Sequence, residues 1–144
     1  ITEKNDKIGI QWYTTNNSWN HKYRKIPHEL VEKVVNKFPT ADIVSLQMEN
    51  TFLTKHLNCD SMAGSADAIQ QLKAVIAIDS AVLHLAGSVG TKTYGLVGNG
   101  DNLCWRWFPK QPKTSWYDSV TCIYNEPYDN WETSMTLALE ELCH

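Results

Sequence analysis

The sequence predicts an α/β domain built on a parallel sheet with helices on both faces. Three observations carry this expectation. Short β-branched runs alternate along the chain with stretches whose apolar residues recur at helical spacing. At 144 residues the chain has the length of one domain and can bury a real core. One run, Val75-Ile76-Ala77-Ile78, ends at the pair Asp79-Ser80, and a helical stretch carrying His84 follows immediately. That arrangement sets a helix N-terminus at the carboxyl end of a parallel strand, where unpaired backbone N–H groups and the positive end of the helix dipole gather.

The elements follow in order. Residues 7–12 (KIGIQW) alternate and suit a first strand, and the polar, Asn-rich residues 14–24 suit a loop. Pro27 opens a helix in which Leu30, Val31, Val34, Val35 and Phe38 share one face, and Pro39 helps to stop it. Residues 43–47 (IVSLQ) form the next strand, residues 56–60 suit a short one, and Ser65 can cap a brief helix with Ala68, Ile69 and Leu72. Residues 74–78 make a buried strand, residues 80–89 a helix, and residues 93–97 (TYGLV) a further strand. Residues 120–124 (VTCIY) give the last strand. Asp129-Asn130-Trp131-Glu132 then has the form of a capping box ahead of the stripe Trp131, Met135, Leu139 and Leu142. Five or six strands in this alternation fit a Rossmann-like half-domain. Ligands of such sheets bind outside the carboxyl ends of the strands, where the strand order reverses. The loops that follow the first strand and Ile78 are expected to meet there.

Composition narrows the function. The hydrophobic fraction is 42% and the charged fraction 20%, ordinary for a folded domain, and the net charge is −3. With no long Lys/Arg block, a nucleic-acid partner is not expected. No apolar run approaches the roughly 20 residues of a membrane span, and no signal peptide is present. The four cysteines, Cys59, Cys104, Cys122 and Cys143, lack C-x-x-C or zinc-finger spacing, so reduced thiols in a cytoplasmic protein are the simplest reading. The polar opening, residues 1–6, without an initiator Met, reads as a linker remnant ahead of a domain over residues 7–144.

Asp79-Ser80-Ala81 leads the candidate functional residues. Small side chains at Ser80 and Ala81 let a pyrophosphate approach the backbone, and Asp79 can accept from a ribose hydroxyl; alternatively Asp79 or Ser80 simply caps the helix. His84, one turn on, shares a face with Ser80 and Ala81 and can donate to a phosphate oxygen or merely pack. Thr14 and Thr15 follow the first strand, where their hydroxyls can meet a distal phosphate or sugar or lie in a plain polar loop. Arg24, with Lys22 and Lys25, can neutralise a diphosphate or be solvated. Gly95, Gly98 and Gly100 are in the wrong order for a dinucleotide fingerprint and serve as turn glycines, which disfavours a NAD enzyme. The aromatic segments Trp105-Arg106-Trp107 and Ser115-Trp116-Tyr117-Asp118-Ser119 either line a sugar or base pocket or pack a long loop onto the sheet. No Asp-x-Asp pair occurs, so no carboxylate site for a cation carrying a diphosphate is evident.

Together these pieces resemble the C-terminal, nucleotide-sugar-binding half of GT-B glycosyltransferases, above all the heptosyltransferase-like family (glycosyltransferase family 9) and its members fused to tetratricopeptide repeats. The resemblance is carried, in order, by Gly9-Ile10-Gln11-Trp12, Arg24-Lys25-Ile26-Pro27, Val44-Ser45-Leu46-Gln47, Asp67-Ala68-Ile69, the run from Val75 to Gly87 with Gly90, Trp105-Arg106-Trp107 and Ser115-Trp116-Tyr117 with Ser119. It implies a nucleoside diphosphate–sugar donor, its diphosphate and ribose held by Asp79, Ser80, Ala81 and His84. It further implies phosphate contacts from Thr14, Thr15 and either Lys22 or Arg24, with Gln47 and Met62 near base and ribose. The loop before Arg24 reads Asn20-His21-Lys22-Tyr23 where the family is richer in Asp and Arg, and Gly98-Asn99-Gly100 departs from a more apolar loop.

The resemblance also implies what lies elsewhere. The carboxylate that deprotonates the acceptor hydroxyl usually belongs to an N-terminal acceptor domain. The expectation is therefore a donor-binding domain, partnered by such a domain or by tetratricopeptide repeats of a parent chain, working without a metal cofactor and nearly inactive alone. The competing expectations are a non-catalytic recognition or assembly module on the same fold and a GT-B-like epimerase. Base, sugar, acceptor and oligomeric state are not encoded in any motif found.

Overall fold

A computed structural model describes residues 4–13, 26–46, 62–78, 80–98, 117–125 and 131–143. Within them the chain runs β1 (Lys7–Gln11), α1 (His28–Val35), β2 (Asp42–Ser45), α2 (Met62–Gln70), β3 (Ala74–Ile78), α3 (Ala81–Ser88), β4 (Thr93–Gly98), β5 (Val120–Asn125) and α4 (Trp131–Leu142). The five strands form one sheet in the order β2-β1-β3-β4-β5, every pair parallel. The expected fold class is the observed one. The suggested short strand at residues 56–60 lies outside the described residues.

Two apolar layers enclose the sheet. On one face Ile8, Ile10, Ala74, Ile76, Ile78 and Leu96 pack with Val31 and Val34 of α1 and with Met135, Ala138 and Leu139 of α4. On the other, Val44, Val75, Ala77, Val120 and Cys122 pack with Ile69 of α2 and with Leu83 and Ala86 of α3. Strand β3 is buried at all five positions, as a central parallel strand covered on both faces must be.

Several helix boundaries differ from expectation. Helix α1 stops at Val35, four residues before Pro39; the N–H groups of Lys37 and Phe38 bond to the carbonyls of Val34 and Val35, so a tightened last turn ends it. Helix α2 begins at Met62, which puts Ser65 inside it rather than at its cap, and Leu72 lies past its end. Strand β2 ends at Ser45, short of Gln47.

The helices end at the edge of the sheet where the strands begin, and their carbonyls are satisfied there. Lys4 donates to the Gln70 carbonyl of α2 (2.5 Å) and Lys73 to the Leu142 carbonyl of α4 (2.9 Å). Helix α3 instead closes on itself. Gly90, with φ +78°, turns the chain so that its N–H meets the Gly87 carbonyl (3.2 Å) and the Thr91 N–H meets the Ala86 carbonyl (3.1 Å), a Schellman motif. Helix α4 is tied to β4 by a hydrogen bond from Tyr94 to Glu141. Burial first, then that bond and the Glu141 charge, push the Tyr94 phenol up to about 12.

Two outcomes are expected. Gly90→Ala keeps its surroundings, since no atom lies within 4 Å of the added methyl, yet forces an L-residue into the left-handed region. It should cost about 1–2 kcal/mol, read as a lower urea midpoint at unchanged slope. A phenol whose pKa is higher in the folded state stabilises the fold fully below its unfolded value, about 10. That contribution is lost as pH rises through about 12. The melting temperature should therefore fall across this alkaline window, and less steeply in Tyr94→Phe.

Candidate functional site

The strand order reverses between β1 and β3. From β1 the chain passes through α1 to β2 on one side; from β3 it passes through α3 to β4 on the other. The two helices pack on opposite faces, so the carboxyl ends of β1 and β3 form a topological switch point, where ligands of open α/β sheets bind in the crevice between the diverging connections.

Both walls of the crevice are held by specific contacts. Gln11, the last residue of β1, pairs in register with Ala77. Its side-chain oxygen accepts a hydrogen bond from the Ser80 hydroxyl, with both residues buried. Ser80 is the N-cap of α3 by backbone position, in extended conformation, but its side chain makes no capping bond. Of the two expected N-cap residues the position falls to Ser80, but its hydroxyl ties α3 to β1 instead of capping, and the turn closes through the His84 N–H on the Ser80 carbonyl (3.3 Å). The amides of Ala81, Val82 and Leu83 have no carbonyl of their own helix to bond, and Ala81 is exposed.

On the β1 side, the loop after Tyr13 is pinched at its base. The Ile26 N–H donates to the Trp12 carbonyl (2.8 Å), and the buried Trp12 indole donates to His28 Nδ1 (2.9 Å). The Tyr13 and His28 rings meet edge to face, centroids 5.1 Å apart. Trp12 and Ile26, on either side of residues 14–25, are thereby joined at the end of β1. Thr14, Thr15, Lys22 and Arg24 lie outside the described residues, as do Gln47 and Asp79. Met62 starts α2.

His84 is half-buried on α3, and its Nδ1 lies 3.0 Å from the Tyr117 hydroxyl. The Tyr117 ring rests on Gly87, where a methyl would come within 2.6 Å of its Cγ. The two stretches that stood out in the sequence, the Val75–Gly87 run and the segment around Tyr117, are thus packed together. Gln11, Trp12 and His28 were not expected as site residues, and Tyr117 was expected only as part of an aromatic segment that either lines a pocket or packs on the sheet. A shallow open groove lined by Gly87, Ser88, Gly90, Tyr117, Asp118 and Ser119 lies at the opposite edge of the sheet, where the strands begin, and is not the crevice. No group of three His, Cys, Asp or Glu residues able to hold a metal ion occurs among the described residues.

Comparison with known proteins converges on one family. The sequence profile of glycosyltransferase family 9 (heptosyltransferase) matches residues 44–142. Among solved structures, the chain is similar to the heptosyltransferase WaaC of E. coli with ADP, at 14% identity and a TM-score of 0.67 over 99% of this chain and 46% of that one. It is also similar to a family 9 glycosyl transferase from Veillonella parvula DSM 2008, at 16% identity and a TM-score of 0.60 over 96% of this chain and 40% of that one. The chain thus spans less than half the length of these two structures. No curated protein matches it.

The Gln11–Ser80 bond can be weighed directly. Ser80→Ala should cost about 1–3 kcal/mol by leaving a buried acceptor unpaired. In a Gln11→Leu background, where no acceptor remains, the same change should cost clearly less. A double-mutant cycle by urea unfolding reads the difference.

Proposed function

Because the chain belongs to glycosyltransferase family 9 (heptosyltransferase), we propose that it forms the donor-binding half of a GT-B sugar transferase. The reaction is transfer of a sugar from a nucleoside diphosphate–sugar to an acceptor hydroxyl. The observation that carries this reading is the reversal of strand order between β1 and β3, whose carboxyl ends are joined by the Gln11–Ser80 bond beside the first turn of α3. That E. coli WaaC was solved with ADP supports a nucleoside diphosphate as the ligand class.

In this reading the diphosphate lies against the amides of Ala81 and its neighbours, with Asp79, Ser80 and His84 completing the contacts to phosphate and ribose. Thr14 and Thr15, with Lys22 or Arg24, reach it from the pinched loop, and Gln47 and Met62 lie near base and ribose. As the bond from sugar to diphosphate breaks, negative charge grows on the departing phosphate. Fixed N–H dipoles and a basic side chain stabilise that charge without reorganising, as an oxyanion hole does. No Asp-x-Asp pair is present to bring a cation to the diphosphate, so we assign its neutralisation to amides and basic residues and expect no metal requirement. We assign deprotonation of the acceptor to a carboxylate of another domain, either an N-terminal acceptor domain or one associated with tetratricopeptide repeats. The reaction in this reading is cytoplasmic; for its part, no described helix is long and apolar enough to cross a membrane.

Calorimetry of the 144-residue chain with ADP, UDP and GDP tests this reading. At least one should bind, weakly and equally well in EDTA, and sugar transfer by this chain alone should be negligible. No heat with any of the three would sink the donor-site reading in favour of a recognition module. Release of free nucleoside diphosphate from a nucleotide sugar without acceptor would point to an epimerase-like enzyme.

A further inference from the structure

We infer that Gln11 is a positioning residue for the donor site: it holds the Ser80 hydroxyl off the first turn of α3, so that the amides there stay open to an oxygen of the diphosphate. This rests on the reading that the first turn of α3 receives the donor diphosphate. Ser80 has the backbone of an N-cap residue, extended at φ −155° and ψ 175°. A serine in that place ordinarily accepts from the N–H two or three residues on, here Val82 or Leu83. Ser80 makes no such bond. Its hydroxyl donates to the Gln11 side-chain oxygen instead, and both residues are buried, Ser80 at 7% exposure and Gln11 at 8%. The sheet brings the pair together: Gln11 ends β1 in register with Ala77, and Ser80 lies two residues past the end of β3.

Two demands compete for one side chain. The first turn of α3 has donors that its own helix cannot match, and the carboxamide oxygen of Gln11 is an acceptor in a buried place. The Ser80 hydroxyl answers the second, and the cap it could supply is not made. The backbone of Ser80 already suits a cap, so a rotation about its Cα–Cβ bond separates the two arrangements. With an apolar residue at position 11 the acceptor is gone, and the hydroxyl swings onto the amides, where a ligand oxygen has to displace it. With glutamine there, the amides wait for the ligand. An ionised phosphate only accepts, and the Ser80 proton is given to Gln11, so the ligand is met at this point by backbone N–H groups. Its oxygen takes the place of the missing cap. Ala81, which heads the turn, is exposed. Gln11 thus acts on the ligand through Ser80, by deciding which way one hydroxyl points.

Amide NMR of the 144-residue chain tests the competition without any ligand. In Gln11→Leu the released hydroxyl should cap α3, and the amide proton of Val82 or Leu83 should move downfield, the mark of a new hydrogen bond. Adding Ser80→Ala should return it. Amide shifts that do not move in Gln11→Leu overturn the inference. Gln11→Met gives the same comparison with an unbranched side chain, should leucine disturb β1. Titration with whichever of ADP, UDP and GDP the wild type binds supplies the second arm. Gln11→Leu should weaken binding about fivefold, the equilibrium worth of a typical serine cap. The double variant Gln11→Leu with Ser80→Ala should bind more tightly than Gln11→Leu alone, a rescue that a merely structural role for Gln11 does not produce. A loss that Ser80→Ala fails to relieve overturns the role through Ser80. Absence of binding of all three nucleotides by the wild type overturns the donor-site reading and Gln11's place in it, whereas binding with unmoved amide shifts overturns the positioning role alone.

Discussion

The parallel pairing of β1 with β3 is the constraint on which the crevice depends. Gly9 lies beside Val75, Ile10 beside Ile76 and Gln11 beside Ala77, so the two strands finish side by side. Both are covered on both faces, which rules out a register slip, since moving one residue would turn the isoleucines of one layer into the other. Because the chain leaves the two strands in opposite directions, no crossover can lie over their ends. The bond between Gln11 and Ser80 then converts adjacency of strands into a fixed relation between β1 and the start of α3. A buried amide and hydroxyl demand partners, and here each is the other's.

The two edges of the sheet are treated differently. Where the strands begin, helix carbonyls are neutralised: Lys4 on α2, Lys73 on α4, and the left-handed Gly90 turn on α3. Where they end, the side chain that could cap α3 is turned away into the sheet. Helix α3 thus has one end closed by its own backbone and the other left with donors unmatched within the helix. Tyr117 lies along the helix between these ends, anchored at Gly87 and bonded at His84. The resulting asymmetry is electrostatic: the positive end of the α3 dipole lies beside the carboxyl ends of β1 and β3.

The fold was largely legible in the sequence because its signals are local. A continuous β-branched run followed by small residues marks the β3–α3 joint to the residue, and the Trp131, Met135, Leu139 stripe locates α4 because a buried helical face repeats every three to four residues. The errors arose where the signal was a single residue. Ser65 resembles a cap, yet the apolar requirement of the helix does not say which turn is the first, and α2 starts three residues earlier. Proline at 39 resembles a stop, but the tightening of the turn at Lys37 and Phe38 ends α1 sooner. In the site, the placement of Ser80, Ala81 and His84 followed from the joint itself. Gln11, Tyr117 and the Trp12–His28 pair did not, because a hydrogen bond between residues far apart in sequence leaves no period behind. What links His84 to Tyr117, or Gln11 to Ser80, is the topology, which only the folded chain makes visible.

The polar groups of the crevice are each already committed, and that decides what chemistry they can perform. The Ser80 hydroxyl donates to the Gln11 amide oxygen, which is not a base that could make it a nucleophile. His28 Nδ1 accepts from the Trp12 indole and holds the loop closed. His84 is met on Nδ1 by Tyr117. Groups held this way are fixed dipoles, suited to binding and to stabilising charge that appears on a ligand, because they need not reorganise when it does. They are poorly suited to abstracting a proton, which requires an acceptor kept open until the reacting hydroxyl arrives. A sugar transfer needs both functions. Among the described residues, the hydrogen-bonded groups near the carboxyl ends of β1 and β3 are of the first kind.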